Sequence, residues 1–81
     1  EQAGERREMA RCGLAVAEAS RRLGRVTEAD SAWKASYRAA RSIDDVGAMV
    51  WALWSRGTLA RHRGSLALAY RLLRLAADLG E

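Results

Sequence analysis

The run Leu53-Trp54-Ser55-Arg56-Gly57-Thr58-Leu59-Ala60-Arg61-His62-Arg63-Gly64-Ser65-Leu66-Ala67-Leu68-Ala69 decides the fold. It sets a small residue, Gly57, seven positions before Gly64 and an alanine, Ala69, five positions after it. Forty residues earlier the same spacing recurs as Ala17, Gly24 and Ala29. Self-similarity at a period of about 20–50 residues marks stacked supersecondary units, which more often present surfaces than carry out chemistry. The recurrence predicts a repeated helical hairpin with the glycine at its turn.

Composition agrees. A chain of 81 residues forms one small domain that buries only about 60–65 % of its unfolded surface. Alanine, leucine and arginine dominate, proline and phenylalanine are absent, and the seven glycines are the only helix-unfriendly residues in number, so the fold class is all-α. The single Cys12 excludes an internal disulfide and cannot by itself build a zinc site. No apolar run approaches the roughly 18–20 residues that span a bilayer; Ala48–Trp54 is short and soon meets Arg56. A soluble, cytoplasmic chain without a signal peptide is expected. The net charge of +4 is a mild excess, and 13 of the 14 basic residues are arginine. Arginine over lysine with abundant alanine and glycine points to a GC-rich bacterial genome, and Glu1 in place of a starting methionine to a segment of a longer polypeptide.

Outward from the quoted run, four helices follow. The first spans about Glu5 to Leu23, with a three-to-four residue rhythm of Met9, Cys12, Val16, Ala19 and Leu23 expected to face the core. Gly24 suits the left-handed position past a helix end, and Thr27 with Asp30 is read as a capping box for a second helix over about Glu28 to Ser42. Asp44 and Asp45 place cap-competent carboxylates before the run Val46–Leu53, which opens a third helix reaching about Arg63. Gly64 closes it, Ser65 caps the next, and the fourth runs from about Leu66 to Leu79. Two repeats result, about residues 5–43 and 45–80, in a single domain covering 1–81. From turn glycine to final acid the first has 21 residues and the second 17, which predicts a second helix about one turn longer than the fourth. Gly57, costly inside a helix by about 1 kcal/mol against alanine, signals close backbone approach.

In this order the residues resemble tetratricopeptide repeats, in which a small residue in the first helix precedes a turn glycine, an early alanine, a large apolar residue and another small one. The second copy follows the pattern through Gly57, Gly64, Ala69, Leu73 and Ala76, and the first through Ala17, Gly24, Ala29, Trp33 and Ser36. Departures are Arg56 where the family has an apolar residue, Gly13 for a large apolar one, and no terminating proline. A forty-residue spacing exceeds the usual length of about 34 and resembles the long variant of large bacterial transcriptional regulators and signalling ATPases. Ile43-Asp44-Asp45 and Leu79-Gly80-Glu81 are similar to the Leu-Gly-Asp endings of that variant. The resemblance implies stacked hairpins whose first and third helices line a concave groove, in a non-enzymatic module that receives a partner and controls an attached domain.

Trp51 and Trp54 lie one turn apart, and Thr58 and Arg61 continue their stripe. The resemblance matches these to Arg11, Leu14, Glu18 and Arg21 of the first helix. Aromatics beside arginines suit capture of a protein segment or peptide, acidic ones included, through indole area and guanidinium–carboxylate pairing; equally, the tryptophans could pack between repeats. Leu68, Leu72, Leu75 and Leu79 form a second apolar stripe on the fourth helix, expected to stack on an adjoining repeat or another copy. Cys12 is expected to be a small buried apolar group, His62 a helix-end residue favouring the negative dipole, and the arginines at 21, 22, 25, 61, 63, 71 and 74 a solvated face. No nucleophile has a base beside it and no phosphate-cradling or other cofactor motif occurs, so neither an enzyme nor a cofactor is implied. The competing class is a nucleic-acid-binding domain using that arginine face, opposed by a small net charge and interspersed acids. Membrane-surface binding would need a broader basic face than the fourth helix has.

Overall fold

The structure, a computed structural model, describes the backbone of residues 2–80 and the side chains of residues 4–80. It consists of α1 (Gln2–Arg22), α2 (Val26–Ser42), α3 (Val46–His62) and α4 (Leu66–Gly80), with no strand among the described residues. The pairs α1/α2 and α3/α4 pack extensively as hairpins, and α2 against α3 stacks one hairpin on the other. The first and third helices also approach closely, whereas the backbones of α2 and α4 do not among the described residues. The array therefore closes up on the α1/α3 side.

One turn serves all three junctions. Gly24, Asp44 and Gly64 have φ of +79°, +54° and +81°, and each is followed by a residue whose N–H reaches back to a helical carbonyl: Arg25 to Ser20 (2.8 Å), Asp45 to Ala40 (2.9 Å) and Ser65 to Ala60 (2.9 Å). With Gly24 donating to Arg21, Asp44 to Arg41 and Gly64 to Arg61, these are Schellman closures of carbonyls that a helix end leaves bare. The two glycines meet the sequence expectation. Asp44 does the same work without glycine's freedom, a role open to aspartate because its short polar side chain tolerates the left-handed region. Asp45 caps α3 as expected, its carboxylate accepting from the Ala48 N–H at 3.2 Å.

Two boundary expectations fail for the same reason. Thr27 and Asp30 form no capping box: α2 begins at Val26, its N-cap is Arg25 with no side-chain bond, and Thr27 lies inside the first turn. The Schellman turn hands the chain into the next helix two residues after the left-handed position, before Thr27 is reached. Nor is α2 a full turn longer than α4, since they have 17 and 15 described residues.

The inward face of α1 is not the expected one. Met9, Cys12, Val16, Ala19 and Leu23 are all exposed, while Ala10 and Ala17 are fully buried with Gly13 and Leu14 partly so. Close approach selects the small residues. A Cβ on Gly13 would collide with Ser36 Oγ of α2, and one on Gly57 would come within 2.7 Å of Leu73 Cγ and 3.3 Å of Leu72 Cβ of α4. The interior is correspondingly alanine-rich: Ala10, Ala40, Ala48 and Met49 form one cluster, and Leu53, Leu72 and Ala76 another. A third holds Trp33, 1 % exposed, with Ala17, Ala29 and Leu59. Arg56, the residue that departs from the resemblance, crosses from α3 to α2 and donates to Asp30 at 3.0 Å in a partly buried pair.

Asp44→Gly relieves the one non-glycine left-handed residue among the described residues and raises stability by about 0.5–1 kcal/mol, measured as a higher urea midpoint at unchanged slope. Gly13→Ala lowers it by about 1–3 kcal/mol through overpacking. Adding Ser36→Ala removes a hydroxyl that has no hydrogen-bond partner and leaves Cβ atoms in ordinary contact, so the double variant recovers that loss in the same titration.

Candidate interaction face

Helix α3 lies between α2 and α4, and this position fixes which of its side chains remain outside. It buries Ala48, Met49, Ala52, Leu53, Ser55, Gly57, Leu59 and Ala60, an arc too wide for one neighbour. Trp51 and Trp54 fall outside that arc and are 55 % and 53 % exposed. Their rings sit 6.4 Å apart between centroids and tilted by 42°, within the range of favourable aromatic pairing. The stripe continues through half-buried Thr58 to exposed Arg61.

On α1 the matched stripe holds exposed Arg11, partly buried Leu14 and Glu18, and exposed Arg21. Leu14 packs against two core clusters and so supplies floor more than contact area. Glu18 is held by Arg21, whose Nε donates at 3.2 Å, and by Arg22 at 3.4 Å. The Arg21 hydrogen bond is the main cause that keeps the Glu18 carboxyl below its ordinary value of 4.5; desolvation opposes it, and the Arg21 charge with the hydrogen bond and charge of Arg22 add to the lowering. The same bond raises Arg21. Arg11 and Arg61, by contrast, enter no ion pair among the described residues. The forty-residue offset that relates α1 to α3 matches Arg11 to Trp51 and Arg21 to Arg61.

The tryptophan that builds the core is Trp33, whose indole N–H is buried without a partner. Sequence reasoning had not separated the three tryptophans by burial. Other expectations shift too. Cys12 is exposed rather than buried, because α1 turns a neighbouring stripe inward. Leu68, Leu72, Leu75 and Leu79 do not make one free surface: Leu72 is buried beneath Gly57, Leu68 and Leu79 pack on the same cluster, and only Leu75 is exposed. The exposed large apolar residues of α4 are Leu66, Tyr70 and Leu75, of which Tyr70 belongs to neither apolar stripe read from the sequence. His62 is exposed in the last turn of α3. Several arginines of the basic face are engaged locally, Arg25 with Glu28 and Arg74 with Asp78.

No helix is long and apolar enough to cross a membrane among the described residues. Comparison of the chain with protein-family models, with curated proteins and with solved structures finds no match.

Trp33→Ala costs about 3–5 kcal/mol, as expected for a large side chain deleted from a core, and leaves the chain largely unfolded by circular dichroism. Trp51→Ala and Trp54→Ala each cost less than about 1 kcal/mol, because half-exposed side chains lose little burial. Lowering the pH through the folded pKa of Glu18 removes the stability that its depressed carboxyl supplies at neutral pH. For an exposed pair three residues apart the loss is about 0.2–0.5 kcal/mol; Glu18→Gln flattens that part of an acid titration, as does high salt.

Proposed function

We propose that this chain is a non-enzymatic protein-interaction module of the tetratricopeptide type, part of a larger cytoplasmic bacterial regulatory protein. It captures an acidic peptide segment on the α1/α3 side. The observation that carries this reading is the Trp51–Trp54 pair left outside the core of α3, a helix that also touches α1, with Arg61 on the same stripe and Arg11 at the position of α1 matched to Trp51, neither of them in an ion pair among the described residues. A core-building role would have buried those rings. Instead the chain keeps two large apolar faces in water where a ligand can cover them, and large aromatic side chains are among the commonest energetic centres of protein interfaces.

The division of labour follows from the geometry. The indoles supply contact area to an apolar side chain of the peptide. Arg11 at one end of the stripe and Arg61 at the other pair with carboxylates, and Arg21, already bonded to Glu18, adds charge without new geometry. Such an arrangement reads a segment in which an apolar or aromatic residue is flanked by acids.

The test is titration with a panel of acidic peptides carrying a central Leu or Phe, watched by tryptophan fluorescence, alongside basic peptides of the same length and a duplex DNA. Saturable change with the acidic peptides is expected, lost in Trp54→Ala and about fivefold to tenfold weaker in Arg61→Ala, the share of an exposed charge pair plus its hydrogen bond. Binding of DNA with a steep salt slope, and of none of the peptides, would replace this reading with the nucleic-acid one.

A further inference from the structure

The forty-residue offset places α1 on α3 and α2 on α4, so it also maps each side of the internal α2/α3 interface onto an outer face of the four-helix array. The α3 side of that interface is Met49, Ala52, Arg56 and Leu59, one helical stripe of which Met49 shares a buried cluster with Ala40 of α2, Leu59 shares one with Trp33, and Arg56 bonds Asp30. Forty residues earlier stand Met9, Cys12, Val16 and Ala19, all exposed, with Met9 at 65 % and Val16 at 57 %. The α2 side includes Asp30, Trp33 and Tyr37. Forty residues later stand Tyr70, Leu73 and Ala77, with Tyr70 65 % exposed.

These ends are two halves of one interface. The substitutions between the internal junction and the ends are matched. Inside, the pair at the crossing is Arg56 with Asp30; at the ends the corresponding positions are the apolar Val16 and the uncharged Tyr70, whose ring is exposed and whose hydroxyl accepts from Arg74 of its own helix at 3.2 Å. A charge against an apolar partner would be buried without compensation, so each end is suited to the other and not to either side of the internal junction. Nor would two α1 ends reproduce this geometry, since the internal junction joins unlike helices.

We infer that the chain associates head to tail with a second copy of itself, α1 of one molecule seated on α4 of the next through Met9, Val16, Tyr70 and Leu73 in the manner of the α2/α3 junction. Such a contact is heterologous: each copy keeps one free half, so growth continues past the dimer unless the rotation closes a ring. Repetition suits an array whose stability depends on neighbouring units. Cys12, the only thiol, lies within the covered stripe and becomes shielded on association. This surface is separate from the Trp51–Trp54 face, and each can fail alone.

Analytical ultracentrifugation of the 81-residue chain from micromolar to millimolar concentration is expected to show an average mass that rises beyond the dimer, with a parallel fall in the rate of Cys12 labelling. Val16→Arg and Tyr70→Asp lie at exposed positions and are expected to keep the helical spectrum while weakening association about tenfold or more. Mixing V16R with Y70D copies the Arg56–Asp30 pair across the junction and restores association that neither shows alone. Leu75→Ser, on an exposed part of α4 outside this face, is expected to leave it unchanged. A monomer at every concentration, a species that stops at a dimer, no recovery in the mixture, or loss of association in L75S would each overturn the proposal.

Discussion

Everything in this chain depends on a left-handed residue recurring at twenty-residue intervals, at 24, 44 and 64. Each ends a helix by closing its bare carbonyls and, two residues on, starts the next one. The turn is so tight that consecutive helices must lie side by side, and helices that close can pack only if the residues between them are small. Gly13 against Ser36 and Gly57 against Leu72 and Leu73 are the result. The alanine-rich interior, with Trp33 as its largest fully buried side chain, follows from turn geometry and is not a separate choice.

The same constraint decides what was readable in the sequence. Four helices and their turns were legible because Gly24, Gly64 and the Asp45 cap have local causes. The facing of α1 was not. An apolar stripe of Met9, Val16 and Leu23 has the right period for a core face, but periodicity cannot tell a large-residue stripe that stays exposed from a small-residue stripe that faces a helix at close range. The alanine and glycine positions Ala10, Gly13 and Ala17 carried the true signal, and it is a signal of distance, not of hydrophobicity. Thr27 misled for a related reason: the backbone turn had already started α2 before a side-chain cap was needed.

The interaction stripe was legible as a set of positions on α3, since residues 51, 54, 58 and 61 share a face on any helix. Whether that face lay inside or outside depended on how many neighbours α3 has. Sequence spacing does not count neighbours. With α2 on one side and α4 on the other, the buried arc of α3 is full before it reaches Trp51 and Trp54, so the indoles remain in water although they are among its largest apolar groups. Trp33, on a helix with a narrower buried face, fell inside it.

Arg56 joins these points. A charged residue at a position where the resembled repeats are apolar looks like a defect until Asp30 is found 3.0 Å away on α2. Removing Asp30 would strand the partly buried Arg56 guanidinium, whereas Asp30 also pairs with Lys34 at 3.5 Å, so it is Arg56 that disfavours an apolar neighbour at that junction. It therefore acts as a register mark, accepting α3 on α2 and rejecting the apolar α1 stripe there. The ends of the array lack this mark and carry Val16 and Tyr70 in its place. A chain built from two nearly equivalent hairpins must prevent its second hairpin from being displaced by another copy's first, because both present the same helical stripe to α2. One charge pair inside and one apolar pair outside separate those two contacts by chemistry, where the backbone alone would leave them interchangeable.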